Sequence, residues 1–200
     1  MKSTRIEEAL ELIRSRGIVR PRDLAAEGIR RDYLAKLCQQ GLVERIGRGI
    51  YRAVESEATE YYSLVEATKR VPNGIICLLS ALRFHNLTTQ NPPEVWMAIG
   101  EKAWHPDTHA PLIKTVWFSK EAFEYGVEQH GVEGAAVRVY APAKTVADCF
   151  KYRNKIGLDV AIEALRYCWR QRRATMDGLW EAAEVCRVAR VMRPYLESLV

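Results

Sequence analysis

The sequence has 200 residues, of which 48% are hydrophobic and 28% are charged, and its formal net charge is +5. These values are typical of a soluble globular protein with a core, and the length allows one large or two small domains. The longest apolar run, 75–79, is far too short to cross a bilayer as a helix. Lys2 and Arg5 are followed by acidic residues and not by an apolar segment, so we expect no signal peptide and a cytoplasmic protein.

The cysteines indicate a reduced protein. There are five, an odd number, and none is in a C-x-x-C spacing. We therefore expect buried thiols, with no disulfide framework and no cysteine-rich zinc site.

The positive charge is concentrated near the start of the chain. Residues 1–55 contain 12 Lys/Arg and 8 Asp/Glu, a net charge of +4, which leaves +1 for the remainder. Within 30–52 alone there are 6 basic and 2 acidic residues. A localised basic surface is what binding to a phosphate backbone through counterion release requires.

The first 54 residues have the pattern of a winged helix-turn-helix. Apolar residues at helical spacing, capping residues and glycine stops predict three helices, with a short extended piece at 18–19. The predicted helices are 3–16, 22–27 and 31–40. A hairpin follows, with strands 42–46 and 50–54 around the tip Gly47-Arg48-Gly49. We interpret the third helix as a recognition helix and the hairpin as the wing.

This interpretation predicts how the protein binds double-stranded DNA. The start of the third helix would enter the major groove, with Arg31, Asp32 and Lys36 able to reach base edges. Arg30 and Tyr33 would contact either bases or phosphates. At the hairpin tip Arg48 would lie over the backbone or in the minor groove, and Gly47 and Gly49 would adopt positive φ. Flanking support would come from Arg45 and Arg52. The alternative is a winged helix used for protein contact.

Residues 55–59 are polar and predict a boundary between a domain at 1–55 and a second at 56–200. The second part mixes strands, rich in Val, Ile and Trp, with helices. The predicted strands are 94–99, 113–118 and 136–140. The predicted helices are 60–70, 75–87, 120–130, 144–152, 158–172, 176–186 and 188–199. The fold class is therefore α+β, an N-terminal winged helix-turn-helix followed by a larger mixed α/β domain that ends in a helical segment.

Chemistry-bearing patterns in the second part are weak. His105 and His109 have a spacing that a metal could use, but Pro106 lies between them and no third ligand is near, so we interpret them as a solvated loop. Ser80 and His85 lack a nucleophile-elbow motif and are interpreted as structural. A faint nuclease-like set, Glu94, Glu101 and Lys102, lacks the required aspartate, and no phosphate-binding loop is present. We predict no catalytic residue, no metal site and no cofactor.

Two further clusters are candidates for a functional or partner surface of the second part. Lys144 and Asp148 stand one helical turn apart, a spacing that a simple i,i+4 ion pair explains completely. Arg166 and Arg170 belong to a basic cluster at a helix end, with Arg172 and Arg173. That cluster either complements the helix dipole or forms a second surface for nucleic acid or a partner.

Three stretches carry a resemblance to a known family. Residues 42–51 are LVERIGRGIY, 78–88 are LLSALRFHNLT, and 142–166 are PAKTVADCFKYRNKIGLDVAIEALR. Together they resemble AbiEi-type antitoxins, from the type IV toxin–antitoxin systems of bacterial abortive infection. The first stretch is shared with other regulators, so the other two supply the specificity. The resemblance covers nearly the whole chain.

The resemblance implies a repressor of its own operon that binds inverted repeats, with two copies meeting at least on the DNA. It also implies that the C-terminal domain counters a nucleotidyltransferase-like toxin encoded next door, without a stable complex. The protein would then not be an enzyme. The resemblance gives the DNA-facing role to Arg30, Arg31, Tyr33, Lys36, Arg45, Arg48 and Arg52. Two other hypotheses stay open: a transcriptional regulator whose second domain senses a ligand or dimerises, and a metal-dependent nuclease directed to DNA by the winged helix.

Overall fold

The computed structural model describes residues 5–54, 61–101, 103 and 112–199. The helices are α1 Arg5–Arg16, α2 Pro21–Ala26, α3 Asp32–Gln39, α4 Tyr62–Arg70, α5 Leu78–Phe84, α6 Lys120–Glu124, α7 Pro142–Lys151, α8 Arg153–Ile156, α9 Leu158–Arg170, α10 Met176–Val185 and α11 Ala189–Glu197. The strands are β1 Ile18–Val19, β2 Val43–Gly47, β3 Ile50–Ala53, β4 Ile75–Ile76, β5 Val95–Gly100, β6 Ile113–Phe118, β7 Val127–Val132 and β8 Ala135–Tyr140. Over these residues no helix combines the length and apolarity needed to cross a membrane.

The chain forms two compact units. Unit 1 comprises residues 1–72 and the separate segment 131–137, and unit 2 comprises 73–130 and 138–200. Unit 1 therefore includes α4, which lies beyond the polar stretch 55–59. The predicted division into domains at 1–55 and 56–200 stays a prediction about independent folding.

Unit 1 is built on a small antiparallel sheet in the order β1-β3-β2. In this sheet Ile18 pairs with Arg52, and Val43 pairs with Ala53. The apolar stripes of α1, α2 and α3 bury Ile13, Leu24 and Leu37 in one core, because residues three and four apart share a helix face. The separate segment packs closely on the end of α1: a Cβ on Gly134 would lie 3.3 Å from Arg16 Cα and from the Ser15 carbonyl oxygen.

The second sheet is mixed and has the order β6-β5-β4-β8-β7. Strand β4 pairs antiparallel with β5 and parallel with β8, and β5 pairs parallel with β6. The helices from α7 onward bury an apolar core that includes Phe150, Leu165 and Leu179. The burial pattern of β5 is continuous, as expected for a strand covered on both faces.

The predicted fold class is confirmed, since a helical N-terminal region precedes a sheet-containing part that ends in helices. Two predicted helices are wrong in part. The stretch 75–87 begins as strand β4, because the β-branched pair Ile75-Ile76 lies between β5 and β8 inside the sheet. The helix predicted at 120–130 ends at Glu124, since Gly126 has a φ of +67°, and β7 follows it.

Candidate nucleic-acid interface

The first part of the candidate interface is the outer face of α3. Leu34 and Leu37 are buried against unit 1's core, which turns the opposite side of this helix to solvent. Arg31 and Lys36 are exposed on that side, and Tyr33 is half-buried with its ring centroid 5.7 Å from Lys36 Nζ. A cation this close to an aromatic ring is attracted to the face of the ring, so Tyr33 holds Lys36 on the outer side of α3.

Arg30 and Asp32 form an ion pair with each other at the start of α3. Both side chains are exposed. The guanidinium is therefore partly neutralised before any phosphate approaches, whereas Arg31 has no carboxylate partner among the described residues. Between α2 and the start of α3 lies an open groove of about 580 Å³, lined by Pro21, Arg22, Ala25, Gly28, Ile29, Arg30, Arg31 and Asp32.

The second part is the β2–β3 hairpin. Its tip exposes Arg48, which likewise has no acidic partner in the described part of unit 1. The register shifts between Arg45 and Gly47, a bulge that bends the strand. Arg45 is exposed, and its Nε donates to the Gly47 carbonyl oxygen at 3.1 Å. At this tip Gly49 adopts a positive φ of +67° as predicted, but Gly47 does not.

Arg52 has a supporting position on β3. It is half-buried, its Nε donates to Glu44 Oε1 at 2.8 Å, and its guanidinium lies 5.1 Å from the ring centroid of Tyr62. The hydrogen bond to Glu44 raises the pKa of Arg52 above its ordinary value. Because Glu44 neutralises this charge, the exposed positive potential of the hairpin is left to Arg45 and Arg48.

Helix α4 supplies contacts that the sequence reasoning missed. Lys69 Nζ lies 2.6 Å from Asp23 Oδ2, the same oxygen that accepts the backbone N–H of Arg20 at the start of α2. Burial by itself raises the pKa of Asp23, but the hydrogen bonds from Lys69 and from Arg20 N–H outweigh it, and the net pKa is lowered. Arg70 donates from Nη2 to the Ile46 carbonyl oxygen at 2.9 Å. The only sequence signal was the i,i+4 spacing of Glu66 and Arg70.

In unit 2 the structure corrects the expectation that Lys144 and Asp148 lie on a partner surface. Both side chains are fully buried, with Nζ 2.5 Å from Asp148 Oδ2. Lys144 Nζ also lies 4.1 Å from the ring centroid of Tyr140, and Cys186 Sγ donates to Asp148 Oδ1 at 3.3 Å. Burial raises the pKa of Asp148, and burial together with the nearby carboxylate raises that of Cys186 to about 12. The physical reason for the difference is that α7 is covered along nearly its whole length.

Arg166 and Arg170 are exposed, as a partner surface requires. They line one side of a groove of about 430 Å³ along α9, together with Asp159, Ile162, Glu163 and Tyr167. Arg170 also borders a second depression of about 790 Å³ that includes Arg172, Arg173 and Trp169. The predicted cluster is thus a set of exposed arginines at the end of α9, which we call the α9 arginine surface: Arg166, Arg170, Arg172 and Arg173.

The residues considered for catalysis have ordinary structural contacts. Ser80 Oγ accepts the backbone N–H of Trp96 at 2.9 Å, and His85 Nε2 lies 2.7 Å from the Tyr140 carbonyl oxygen. Glu94 Oε2 pairs with Lys114 Nζ at 3.3 Å. Lys102, His105 and His109 lie outside the described residues, and within them no group of three metal-ligating side chains comes together.

The exposed cations of α3 and of the β2–β3 hairpin, on a unit built from three helices and a small sheet, are the features of a DNA-binding transcriptional regulator. Residues 7–54 match the family described as "Transcriptional regulator, AbiEi antitoxin". The match confirms, for this segment, the resemblance to AbiEi-type antitoxins, and it supports a DNA-binding antitoxin as the general class. No curated protein is significantly similar to the chain.

Proposed function

We propose that this protein is the DNA-binding antitoxin of a bacterial toxin–antitoxin system and that it represses its own operon. The observation that carries the proposal is a set of exposed cations on α3 and the hairpin tip, Arg31, Lys36 and Arg48, which have no acidic partner among the described residues. They lie within the segment 7–54 that matches a regulator family. In this proposal α2 and α3 form a helix-turn-helix and the β2–β3 hairpin is its wing.

The position of each side chain supports the proposed DNA contacts. Arg31, at the N-terminal end of α3, would reach base edges in the major groove, where bidentate arginine contacts to guanine are common. Arg48, at a hairpin tip, would contact the phosphate backbone or the minor groove. Arg30 contributes less, because Asp32 already pairs with it. Inverted repeats would be read by two copies of the chain bound side by side.

Binding of the purified protein to its own upstream DNA, measured by fluorescence anisotropy over a range of salt concentrations, tests the proposal. Arg31→Ala should weaken binding by about 1–3 kcal/mol and relax sequence preference, whereas Arg48→Ala should weaken binding to all sequences alike and lower the salt slope by about 1. Arg5→Ala is the charge-matched control in the same unit, since Arg5 is exposed and already pairs with Glu8 at 3.2 Å. Affinities unchanged by both test variants would exclude this mode of DNA binding.

We propose that the α9 arginine surface serves the antitoxin role against a nucleotidyltransferase-like toxin. Its charge is suited to an acidic partner surface or to an anionic molecule that the toxin uses. The double variant Arg166→Glu/Arg170→Glu should abolish rescue of growth when co-expressed with the neighbouring toxin gene, while DNA binding stays at the wild-type level. Full rescue by this variant would place the antitoxin function elsewhere.

We propose further that the protein acts without catalysing a reaction, because Ser80, His85 and Glu94 are occupied by structural contacts. Incubation with DNA or RNA and a divalent metal ion tests this. Cleavage that is lost in Glu101→Gln would favour the nuclease hypothesis instead.

A further inference from the structure

Just before its tip, the β2–β3 hairpin contains a residue that has no partner in the strand ladder. Arg45 is paired with Tyr51 and Gly47 with Ile50, and the register shifts between these pairs, so Ile46 has no position opposite it on β3. A bulged residue of this kind is left out of the ladder and needs another hydrogen-bond partner. Because a bulge bends its strand, the backbone conformation at Ile46 affects the direction in which the tip, 47–49, leaves the sheet.

Arg70 of α4 supplies that partner. Its Nη2 donates to the Ile46 carbonyl oxygen at 2.9 Å. The same guanidinium lies against Gly47: a Cβ at that position would be 3.0 Å from Nη2 and 3.2 Å from Cζ. Since Gly47 has no positive φ, a side chain at this position would be crowded by the guanidinium and not strained by the backbone.

The position of Arg70 is itself fixed by Glu66. Glu66 Oε1 accepts from Arg70 Nε at 3.0 Å and from Nη2 at 2.7 Å. Both side chains are largely buried, and the apolar face of α4 holds the helix in place through Leu64 and Val65. Charge-assisted hydrogen bonds between largely buried groups are short and directional, so the guanidinium has little freedom.

In the same last turn of α4, next to Arg70, a second cation ties the helix to α2. Lys69 Nζ binds Asp23 Oδ2, and that carboxylate also fixes the first turn of α2. One helix therefore contacts both the bulge under the hairpin tip and the start of α2. These contacts join the two parts of the candidate DNA interface within unit 1.

We propose that α4 is a brace for the wing, in which Glu66 and Arg70 are positioning residues that set the direction of the hairpin tip and so place Arg48 on DNA. The inference rests on the proposed function for the role of Arg48. The brace itself is a property of the free protein. Neither residue needs to contact DNA.

The brace is tested first without DNA, by amide hydrogen exchange of the full chain over the peptide that covers 43–51. Arg70→Met keeps the apolar stem but removes the charge and the donors, and should speed exchange in this peptide by about tenfold or more, because local opening no longer breaks the Ile46 contact. The matched control is Arg193→Met, which removes an arginine from another i,i+4 pair, with Glu197, in unit 2. Hairpin exchange equal to that of the control would overturn the brace.

Binding to the upstream DNA then tests the positioning of Arg48 with a double-mutant cycle. Arg70→Met alone should weaken binding by about tenfold, the scale of one lost charge-assisted hydrogen bond. In the Arg70→Met background, Arg48→Ala should have little further effect, whereas Arg31→Ala should keep its full effect. Independent effects of Arg48 and Arg70 that simply multiply would show that the brace does not place Arg48.

Glu66→Gln separates the brace from plain electrostatics and replaces Arg70→Met if that variant fails to fold. It removes a negative charge from unit 1, so long-range attraction alone would strengthen DNA binding. The brace predicts the opposite, a loss of at least about twofold in DNA affinity, because Glu66 and Arg70 are in contact and a change in one alters the position of the other. Tighter binding would overturn the inference. If Arg31→Ala and Arg48→Ala leave wild-type binding unchanged, the proposed function fails, and the exchange comparison still decides the brace.

Discussion

Units 1 and 2 each contain an i,i+4 ion pair on a helix, and the two pairs differ in what they do. Glu66 and Arg70 on α4 keep 10% and 16% of their side-chain surface, and Arg70 has a donor left over for the Ile46 carbonyl. Lys144 and Asp148 on α7 keep none. Identical spacing thus gives a partly exposed pair whose spare donor binds a hairpin carbonyl in one unit, and in the other a fully buried pair whose spare acceptor binds the Cys186 thiol.

Spacing therefore decides whether two charged side chains can form a pair, and burial decides how much that pair contributes to the free energy of unfolding. A buried pair loses hydration that its attraction only partly restores, so it is a weak source of net stability but costly to break. A pair at the edge of the core loses less and can use its remaining donors on the backbone. The following experiments test this distinction, beginning with the largest expected effect.

Removing one partner of the internal pair should be severe. Asp148→Ala leaves the buried Lys144 without its carboxylate partner beside the rings of Phe118 and Tyr140, and we expect a loss of about 3–5 kcal/mol in the free energy of unfolding. Denaturant titration followed by circular dichroism measures it. As control, Lys144→Met/Asp148→Leu replaces the pair by apolar side chains and should recover most of the loss. A cost below about 1 kcal/mol for Asp148→Ala would contradict full burial of the pair.

Breaking the pair on α4 should cost less. Arg70→Met removes the hydrogen bond to the Ile46 carbonyl and leaves Glu66 without its partner, and a lost charge-assisted hydrogen bond is worth about 1.5–3 kcal/mol. The same titration measures it, with Arg193→Met as the reference. An effect as large as that of Asp148→Ala would erase the distinction between the two pairs.

The pH dependence of stability should differ in sign between the two units. The folded-state pKa of Asp23 is lowered, so its contribution is present above the unfolded value, about 3.8, and is lost as pH falls through the folded pKa. Asp23→Asn should therefore cost about 1 kcal/mol near pH 7 and progressively less below pH 4. The pKa of Asp148 is raised, so its contribution is present at acid pH and is lost as pH rises through that raised value.

Denaturant midpoints of each variant and of the wild type, taken from pH 2 to pH 7, give both trends. A cost for Asp23→Asn that stays constant across this range would show that its carboxylate has the same pKa folded and unfolded.

The smallest effect is expected at the exposed pair on α11. Arg193 Nε lies 3.0 Å from Glu197 Oε1, and the two side chains keep 69% and 62% of their surface. Arg193→Ala should change the free energy of unfolding by no more than about 0.5 kcal/mol, because water and salt screen such pairs. Thermal unfolding of the variant and the wild type at low and high salt measures this change. A larger loss of stability at low salt that disappears at high salt would contradict the role of burial.

Much of the fold could be predicted because short-range sequence patterns determine its helices and strands. Apolar spacing and glycine stops located α1 to α3 and the hairpin, and the Val/Ile-rich runs located β5, β6 and β8. The errors came where strand pairing in the folded protein outweighs local preference. Ile75-Ile76 belongs to an apolar run that also fits a helix, but in the structure it lies between two strands.

The candidate site was predicted only where its residues are exposed. The cations of α3 and the hairpin tip lie within one short stretch of the sequence and could be found by counting charges. Arg70 could not be connected with Ile46, because the two residues are 24 positions apart in the sequence and no periodic pattern indicates their contact. Nor does spacing reveal that α7 is covered on nearly all sides, which is why Lys144 and Asp148 were expected at a surface.

The segment 131–137 has a consequence for how the chain matures during synthesis. Unit 1 includes this segment, which packs on the end of α1 at Gly134, yet the 58 residues from 73 to 130 are translated before it. At about 5–20 residues per second, the helices and hairpin of the N-terminal region leave the ribosome roughly 3–12 s before this packing partner. During that interval the N-terminal elements exist without the complete unit, so their stability in a nascent chain differs from that in a finished one.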